Sequence, residues 1–350
     1  MSHQSIKRSV LSCLDPDYHQ SLKALGVNVN VLASDPYRFE LQRSYLVADD
    51  LAWQSEISKR IKRVLGASVQ EISVNTVTVA RQPVVAKKHP KIKNVVAVFS
   101  GKGGVGKSTV TTLLAHQLAN SGLQVGILDA DIHGPSQVLM LQPDVVEDAC
   151  ANQPVLCQGV HVVSMGAYLA LGQPAAWRGP MASKALMQIY QQTDWPCLDY
   201  LFIDCPPGTS DILLTIAKSL PVIGSVLVTT PQVASVMDAE RAARLMEKLN
   251  VPILGIIENM SGHTCRKCGY HEDTFSAGGG EVLADTLKIP CWGQLPLNEA
   301  VCLGGEQGLP SQSVSDVVDD WLRQLTHSVS QLPRWSKLSQ MPIEVVKSSH

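Results

Sequence analysis

The sequence predicts an α/β fold, namely a doubly wound, mostly parallel sheet with a phosphate-binding loop, preceded by a small N-terminal α+β domain. Short apolar runs alternate with helical patterns, which is typical of such a sheet. The runs lie at 95–99, 125–129, 160–164, 200–204, 223–229 and 253–257. A glycine-rich octapeptide follows the first run, and acidic side chains end two others. Parallel sheets bind ligands at these strand ends.

The composition excludes several classes of protein. The chain has 350 residues, enough for one large domain and a small accessory one. Its net charge of −2 provides no dominant basic surface for nucleic acid. No apolar run approaches the roughly 18 residues of a membrane span, and residues 1–10 lack the apolar segment of a signal peptide. We therefore expect a cytoplasmic protein that binds neither nucleic acid nor membrane.

Residues 1–80 are predicted to form the small α+β domain. Ile57, Ile61, Val64 and Leu65 have the spacing of one apolar helix face. The β-branched residues that follow, between positions 69 and 79, indicate a strand. The N-terminal domain is thus expected to have a core of its own.

A basic segment with prolines separates this domain from the rest of the chain. Residues 81–93 have the composition of a linker. The alternation of strands and helices begins after it, which places the large domain at 94–330. Residues 331–350 are predicted to be a loosely attached tail.

The octapeptide fits the phosphate-loop pattern G-x-x-x-x-G-K-[ST]. Its backbone N–H groups can approach phosphate oxygens, and the next helix adds its positive N-terminal end. Lys107 would reach the β- and γ-phosphates, and Ser108 would place its hydroxyl on Mg²⁺. The residues expected to bind ATP here are Gly101, Lys102, Gly103, Gly104, Val105, Gly106, Lys107, Ser108 and Thr109. A glycine-rich turn without a ligand is disfavoured by the flanking strand and helix.

Carboxylates end two of the predicted strands. Asp129 and Asp131 are two residues apart, so on a strand they share one face and can aim at the same hydrated Mg²⁺. Asp204 ends an apolar run in the manner of a Walker B strand and would hold Mg²⁺ through water. A helix cap is the usual role of a single aspartate after a strand. The order of these strand ends after a phosphate loop favours the metal role.

Cys265 and Cys268 are the only pair with ligand spacing among nine cysteines. Two thiolates leave a tetrahedral site incomplete, so further ligands must come from elsewhere. A second copy of the chain would complete four thiolates, which suits a bridging [4Fe–4S] cluster or zinc. A zinc knuckle completed by His263 and His271, a redox dithiol, and two unrelated thiols are the alternatives.

Several segments together resemble the Mrp/ApbC family of iron–sulfur carrier ATPases, within the MinD/ParA class. Lys102, a second lysine inside the phosphate loop, is typical of the deviant Walker A of that class. The other segments, in family order, are Ser164-Met-Gly166, Trp177-Arg-Gly-Pro-Met-Ala-Ser-Lys-Ala-Leu186, Asp204-Cys-Pro-Pro-Gly-Thr-Ser-Asp211, Glu258-Asn-Met-Ser261 and Gly278-Gly-Gly-Glu281. The resemblance covers residues 94–311.

The resemblance implies roles at the nucleotide. Lys102 would act across a homodimer interface, on ATP bound by the partner. Asp131 would orient or activate the attacking water, and Asp129 would support the magnesium shell. Asn259 would contact the adenine. These roles describe a slow ATPase in which two chains enclose two nucleotides.

The resemblance also implies a cargo. Cys265 and Cys268 would ligate a labile [4Fe–4S] cluster that is passed to apo iron–sulfur proteins, with ATP governing its loading or release. This chain departs from the family at Arg266, where a proline is frequent. Residues 14–26 resemble the start of a small cluster-assembly domain, but no cysteine follows between Cys13 and Lys93. We therefore interpret residues 1–80 as a degenerate domain that docks partners.

Two other functions fit parts of the sequence. A ParA/MinD-type positioning ATPase would need a basic amphipathic C-terminal helix to bind membranes. The apolar stripe that includes Val314 and Trp321 instead carries Asp316, Asp319 and Asp320, so we expect it to pack on the domain. An ATP-gated module that binds zinc or a partner is the other alternative.

Overall fold

The structure is a computed structural model. It describes residues 3–34, 37–47, 49–66, 69–76, 80–81, 83, 88–132, 136–144, 153–168, 179–265, 267–297, 301 and 312–333. The predicted tail lies outside these residues apart from its first three positions. Trp177, Arg178 and Arg266 also lie outside them.

The N-terminal part forms a three-stranded sheet covered by two helices. In chain order its elements are α1 (His3–Leu11), β1 (Asn28–Ser34), β2 (Tyr37–Arg43), α2 (Asp50–Leu65) and β3 (Val69–Thr76). Strand β2 is central, antiparallel to β1 and parallel to β3. Ile57 and Ile61 of α2 are buried in a core of this part alone, together with Phe39. Val64, predicted on the same face, is exposed because it lies in the last turn of the helix.

The rest of the chain alternates strands and helices. The elements on its N-terminal side are β4 (Ile92–Ser100), α3 (Lys107–Asn120), β5 (Val125–Asp129), α4 (Gln137–Leu141), β6 (Val155–Cys157), β7 (Val160–Ser164), α5 (Gly179–Gln192) and β8 (Leu198–Asp204). They are followed by α6 (Asp211–Ser219), β9 (Val222–Thr229), α7 (Val233–Lys248), β10 (Ile253–Thr264), β11 (His271–Glu272), α8 (Gly279–Leu287), β12 (Cys291–Leu297) and α9 (Gln312–Gln331).

These strands form one sheet of nine within the described residues, in the order β11-β10-β9-β4-β8-β5-β7-β6, with β12 beside β10. The pairs are parallel except at the short strands β6 and β11. One apolar cluster on α5, α6, α7 and α8 covers one face, and another on α3 and α9 covers the opposite face. Strand β9 is buried along its whole length because helices cover both sides. The predicted doubly wound, mostly parallel sheet is confirmed.

The apolar stripe of α9 packs on the large domain, as predicted. Val314, Trp321 and Leu325 are buried against the sheet. The acidic side of the helix also contacts the domain, since Gln117 Nε2 of α3 donates to Asp319 Oδ1 over 2.8 Å. Among the described helices, none has the length and apolar character needed to cross a bilayer.

The N-terminal part of the chain contacts α9 through the segments around Tyr18 and Leu46. The rings of Tyr18 and His327 stack with their centroids 4.4 Å apart. The backbone N–H of Leu46 donates to Thr326 Oγ1 over 3.0 Å. Arg81, at the start of the predicted linker, is buried and donates to the Leu332 carbonyl over 3.2 Å. The two sheets are therefore held together by side chains as well as by the chain between them.

Candidate functional site

The phosphate loop connects β4 to α3 at the carboxyl edge of the sheet. Gly106 has a φ of 84°, a left-handed conformation that glycine adopts readily. No side chain caps the N-terminus of α3, so its first N–H groups remain available to an anion. Gly101 presses against α7, where an added Cβ would lie 2.1 Å from the carbonyl carbon of Asp238. The loop backbone is thus shaped to cradle phosphate and held in place by a neighbouring helix.

Lys107 and Asp204 form a buried ion pair at the centre of the site. Lys107 is 6% exposed and Asp204 is fully buried, and Lys107 Nζ donates to Asp204 Oδ1. Ser108 Oγ lies 3.3 Å from the same ammonium. The structure therefore brings together three side chains predicted to serve phosphate and Mg²⁺. The opposite charges of Lys107 and Asp204 offset each other at these buried positions.

Asp129 ends the strand next to Asp204 and stands opposite it in register. Its Oδ1 accepts the N–H of Asp131 over 3.1 Å, and its Oδ2 accepts that of Ser136 over 3.1 Å. Burial, with the neighbouring Asp204 charge, raises the pKa of Asp129 to about 7. Asp131 is less buried and begins the segment that leaves the strand. The two carboxylates predicted to support Mg²⁺ are adjacent, and Asp131 lies beside them.

Asn259 lies in β10, next to the phosphate loop. Its Nδ2 donates to the Val105 carbonyl over 2.9 Å. It also lines a cavity of about 820 Å³, together with Gly106 and Thr109. Apolar side chains of α4 and of the end of β12 make up much of the remaining wall. An apolar cavity beside a phosphate loop has the character expected of a site for a nucleotide base.

The remaining loop residues lie toward the surface. Lys102 is exposed, and its backbone carbonyl accepts the Ser100 hydroxyl over 3.0 Å. A Cβ on Gly103 would lie 3.8 Å from the ring of Pro207, in the segment that follows Asp204. That segment returns to the loop, because the N–H of Gly208 donates to the Ser100 carbonyl over 3.0 Å.

Cys265 and Cys268 lie in the turn between β10 and β11, which we call the cysteine hairpin (residues 265–272). The Cys265 N–H donates to the Tyr270 carbonyl over 2.9 Å, and the Gly269 N–H donates to the Cys265 carbonyl over 2.8 Å. Cys268 is exposed and Cys265 is partly so. Hydrogen bonds from the backbone N–H groups of Cys268 and Lys267 lower the pKa of the Cys265 thiol. The hairpin therefore favours a thiolate at an open surface.

The histidines near this pair do not complete a metal site. His263 Nδ1 lies 3.6 Å from Glu272 Oε1, and His271 Nε2 lies 3.5 Å from Asp273 Oδ1. In the part of the chain that the structure describes, no three histidine, cysteine or acidic side chains converge as metal ligands.

Two residues with important contacts were given no role from the sequence. Gln137 is fully buried at the start of α4, and its Nε2 donates to Asp204 Oδ2 over 2.7 Å. Glu258 is fully buried beside Asn259 and accepts the Ser261 hydroxyl over 2.6 Å and the N–H of Gly280. Glu258 belongs to a segment that resembles the family, whereas no local pattern singles out Gln137.

Comparisons with known proteins give these residues a context. The family model described as NUBPL iron-transfer P-loop NTPase, of the ParA group, matches residues 91–330. An iron–sulfur cluster carrier protein of Escherichia coli K12 is 44% identical over 267 residues, covering 74% of this chain and 71% of that protein. Another, from Synechocystis, is 36% identical over 314 residues, covering 85% and 87%.

A solved structure agrees with these relatives. It is a nucleotide-binding protein of Archaeoglobus fulgidus in complex with ADP, 33% identical, with a TM-score of 0.51 over 64% of this chain and 89% of that one. The resemblance to cluster carriers stated from the sequence is confirmed by the relatives and the family model. The chain belongs to the family of NUBPL iron-transfer P-loop NTPases.

Proposed function

We propose that this chain is an ATPase that holds a [4Fe–4S] cluster between two subunits and passes it to apo iron–sulfur proteins in the cytoplasm. The observation that carries the proposal is that an incomplete pair of thiols directly follows β10, the strand whose Asn259 also contacts the phosphate loop. Cys265 is the sixth residue after Asn259, just beyond the end of β10. Nucleotide and cargo would thus bind to the same element of the fold.

The residues around Lys107 fit a magnesium nucleotide. The open loop offers N–H donors to phosphate, Ser108 offers a hydroxyl, and Asp204 offers a carboxylate, which is a donor set that Mg²⁺ prefers. Bound Mg²⁺ would neutralise charge on the phosphates. Lys107 would turn from Asp204 to the β- and γ-phosphates, and Asp131 would orient the attacking water.

A homodimer would complete both sites. Lys102 is exposed at the tip of the loop, where it can reach a nucleotide held by a partner. Exposed apolar side chains lie on the neighbouring helices, with Val233 and Met237 on α7 and Val282 on α8. Val233 and Met237 are four positions apart, so they lie on one face of α7. A second chain on this side would also supply two more thiols for the cluster.

The positioning-ATPase alternative has less support. The apolar stripe of its C-terminal helix would have to face a membrane. In α9 that stripe is buried in the core of the large domain, with Trp321 fully enclosed. The relatives that cover most of the chain are cluster carriers by name.

Cluster transfer tests the proposal. Protein reconstituted anaerobically with iron and sulfide is mixed with an apo-dehydratase whose activity requires [4Fe–4S], with and without ATP. We expect the dehydratase to regain activity with the wild-type donor and not with Cys268→Ala. Stoichiometric zinc in the purified protein, with no transfer after reconstitution, would contradict the proposal and favour the zinc-binding module.

A further inference from the structure

The side chain of Gln137 is hydrogen-bonded to the Walker B carboxylate, Asp204. Its Nε2 donates to Asp204 Oδ2 over 2.7 Å and to the Ser108 carbonyl over 3.0 Å. Its Oε1 accepts the Thr112 hydroxyl over 2.8 Å. Gln137 is fully buried, so these bonds are protected from competition with water. The amide is therefore held in one orientation, with a donor on the carboxylate expected to serve Mg²⁺.

Both oxygens of Asp204 are engaged by the protein itself. Lys107 Nζ donates to Oδ1, and Gln137 Nε2 donates to Oδ2. A hydrated Mg²⁺ at this site needs the same oxygens, because its bound waters donate hydrogen bonds to carboxylates. Lys107 has another partner when nucleotide binds, since the phosphates replace Asp204. Gln137 Nε2 donates to the other oxygen of the same carboxylate, so its bond would compete with the waters of a bound Mg²⁺.

Gln137 also connects Asp204 to the wall of the cavity. It is the first residue of α4, and its backbone N–H lies 3.4 Å from Asp129 Oδ2. The next residues of the same helix, Val138 and Leu139, line the cavity beside the phosphate loop. Breaking the hydrogen bond between Gln137 and Asp204 would therefore alter the position of α4, the helix that lines the cavity expected to hold the nucleotide.

We propose that Gln137 is a latch, a positioning residue that holds α4 on the Walker B carboxylate until Mg²⁺ displaces it. The inference rests on the proposed binding of magnesium nucleotide at this site. With the latch closed and no metal bound, the buried carboxylate of Asp204 accepts hydrogen bonds from both Lys107 and Gln137. If Mg²⁺ took the oxygens of Asp204, Gln137 would release the carboxylate and α4 would be free to adjust against the nucleotide. The affinity for nucleotide would then depend on whether Mg²⁺ is bound.

The experiment measures ADP affinity as a function of Mg²⁺ concentration, by calorimetry, for wild type and Gln137→Met. Methionine keeps the length of the side chain and removes its donor. Loss of one hydrogen bond that competes with the metal should lower the Mg²⁺ concentration at half-effect about three- to tenfold. The affinity for ADP in EDTA should stay within about twofold, because the latch is closed both before and after metal-free binding.

Two further variants make the result specific. Gln117→Met is the matched control, because the amide of Gln117 bonds Asp319 of α9 and not the Walker B residue; its Mg²⁺ dependence should equal that of wild type. Thr112→Val removes the hydroxyl that orients the Gln137 amide and should lower the Mg²⁺ midpoint in the same direction, by less. It carries the test if Gln137→Met does not fold.

An unchanged Mg²⁺ midpoint in Gln137→Met and in Thr112→Val would overturn the latch. A raised midpoint would also overturn it, because Gln137 would then be assisting the metal. Either result leaves the proposed function intact as long as wild type binds ADP. A wild-type protein that binds no ADP with or without Mg²⁺ would overturn the proposed function, and the latch with it.

Discussion

The nucleotide site and the cysteine hairpin lie at the same edge of the sheet but are constructed in opposite ways. At the nucleotide site, Asp204 is fully buried, both of its oxygens have partners, and Gly101 has no room for a side chain. At the hairpin, Cys268 is exposed and Gly269 faces open space. The nucleotide site is therefore a closely packed cradle with a shape suited to phosphate, whereas the thiol pair is exposed at the surface.

Glu258 links the two regions. It precedes Asn259, which bonds the phosphate loop, and it accepts the Ser261 hydroxyl near the start of the hairpin. It also accepts the N–H of Gly280 in the first turn of α8. A buried carboxylate with several donors fixes the backbone around it. Glu258 thus anchors the end of β10 between the phosphate loop and α8.

The largest effect is expected for the two cysteine variants, which should lose the cluster and still bind nucleotide. Cys265→Ala and Cys268→Ala should each abolish cluster binding, because each removes one of the two thiolates that a chain supplies. The free energy of unfolding should change by less than about 0.5 kcal/mol for Cys268→Ala, since its side chain is exposed. Iron content, ADP affinity and chemical denaturation measure the three effects. Cys197→Ala, at an exposed thiol elsewhere, should bind a full cluster.

Lys107→Ala should remove ATP hydrolysis and also destabilise the chain. The variant leaves the buried Asp204 without its cation, and breaking a buried ion pair costs about 3–5 kcal/mol. Steady-state phosphate release and urea denaturation measure the two losses. Turnover at the wild-type rate would contradict the Walker A assignment.

Lys102→Ala is the matched variant in the same loop. Its side chain is exposed, so stability should be unchanged within about 0.5 kcal/mol. Hydrolysis should fall about 100-fold if Lys102 stabilises the transition state on the partner's nucleotide. The assay is run at concentrations that allow dimers to form. Equal rates for Lys102→Ala and wild type would contradict the proposal that Lys102 acts on the partner's nucleotide.

A pair of alanine substitutions tests whether the cradle is as tightly fitted as the structure shows. Gly101→Ala places a Cβ 2.1 Å from the backbone of α7, which overpacks the site and should cost about 3 kcal/mol of stability. Gly103→Ala meets its nearest atom at 3.8 Å and should cost less than about 0.5 kcal/mol. Urea denaturation of both variants compares them. Similar losses for the two would indicate that the loop is free to move away from α7.

At the hairpin we expect a local effect with little change in global stability. Gly269 has a φ of 71° with open space beside it, so Gly269→Ala costs only the left-handed conformation, about 1–2 kcal/mol. Because the hairpin is exposed and can open by itself, we expect weaker cluster binding with little change in the global unfolding midpoint. A fall in that midpoint as large as that of Gly101→Ala would show that the hairpin is as firmly integrated as the cradle.

The sequence was sufficient for the features that depend on local patterns. The strands at 125–129 and 160–164 have the predicted bounds because each is a short, mainly apolar segment that ends at a polar side chain, Asp129 or Ser164. The short edge strands β6 and β11 were not predicted, since a segment of two or three residues is too short to show a period. The proximity of Asp129 to Asp204 was predicted only as a property of parallel strand ends, and the register confirms it.

Contacts between distant parts of the chain were beyond the sequence pattern. Gln137 donates a hydrogen bond to Asp204, which lies 67 positions away in the sequence. The residues around Gln137 show no pattern that predicts this bond. The stacking of Tyr18 on His327 likewise joins two elements from opposite ends of the chain. Periodicity identifies which face of an element is buried but not what covers it.

A cluster shared by two hairpins would fix both the iron content per chain and the oligomeric mass, so both are measured on the same samples. Wild type and Cys265→Ala are reconstituted anaerobically with iron and sulfide, and iron per chain is measured together with mass by light scattering. We predict about two iron atoms per chain in a wild-type dimer, as a shared [4Fe–4S] cluster requires, and none in the variant. About four iron atoms in a monomer, or iron retained by Cys265→Ala, would contradict the account.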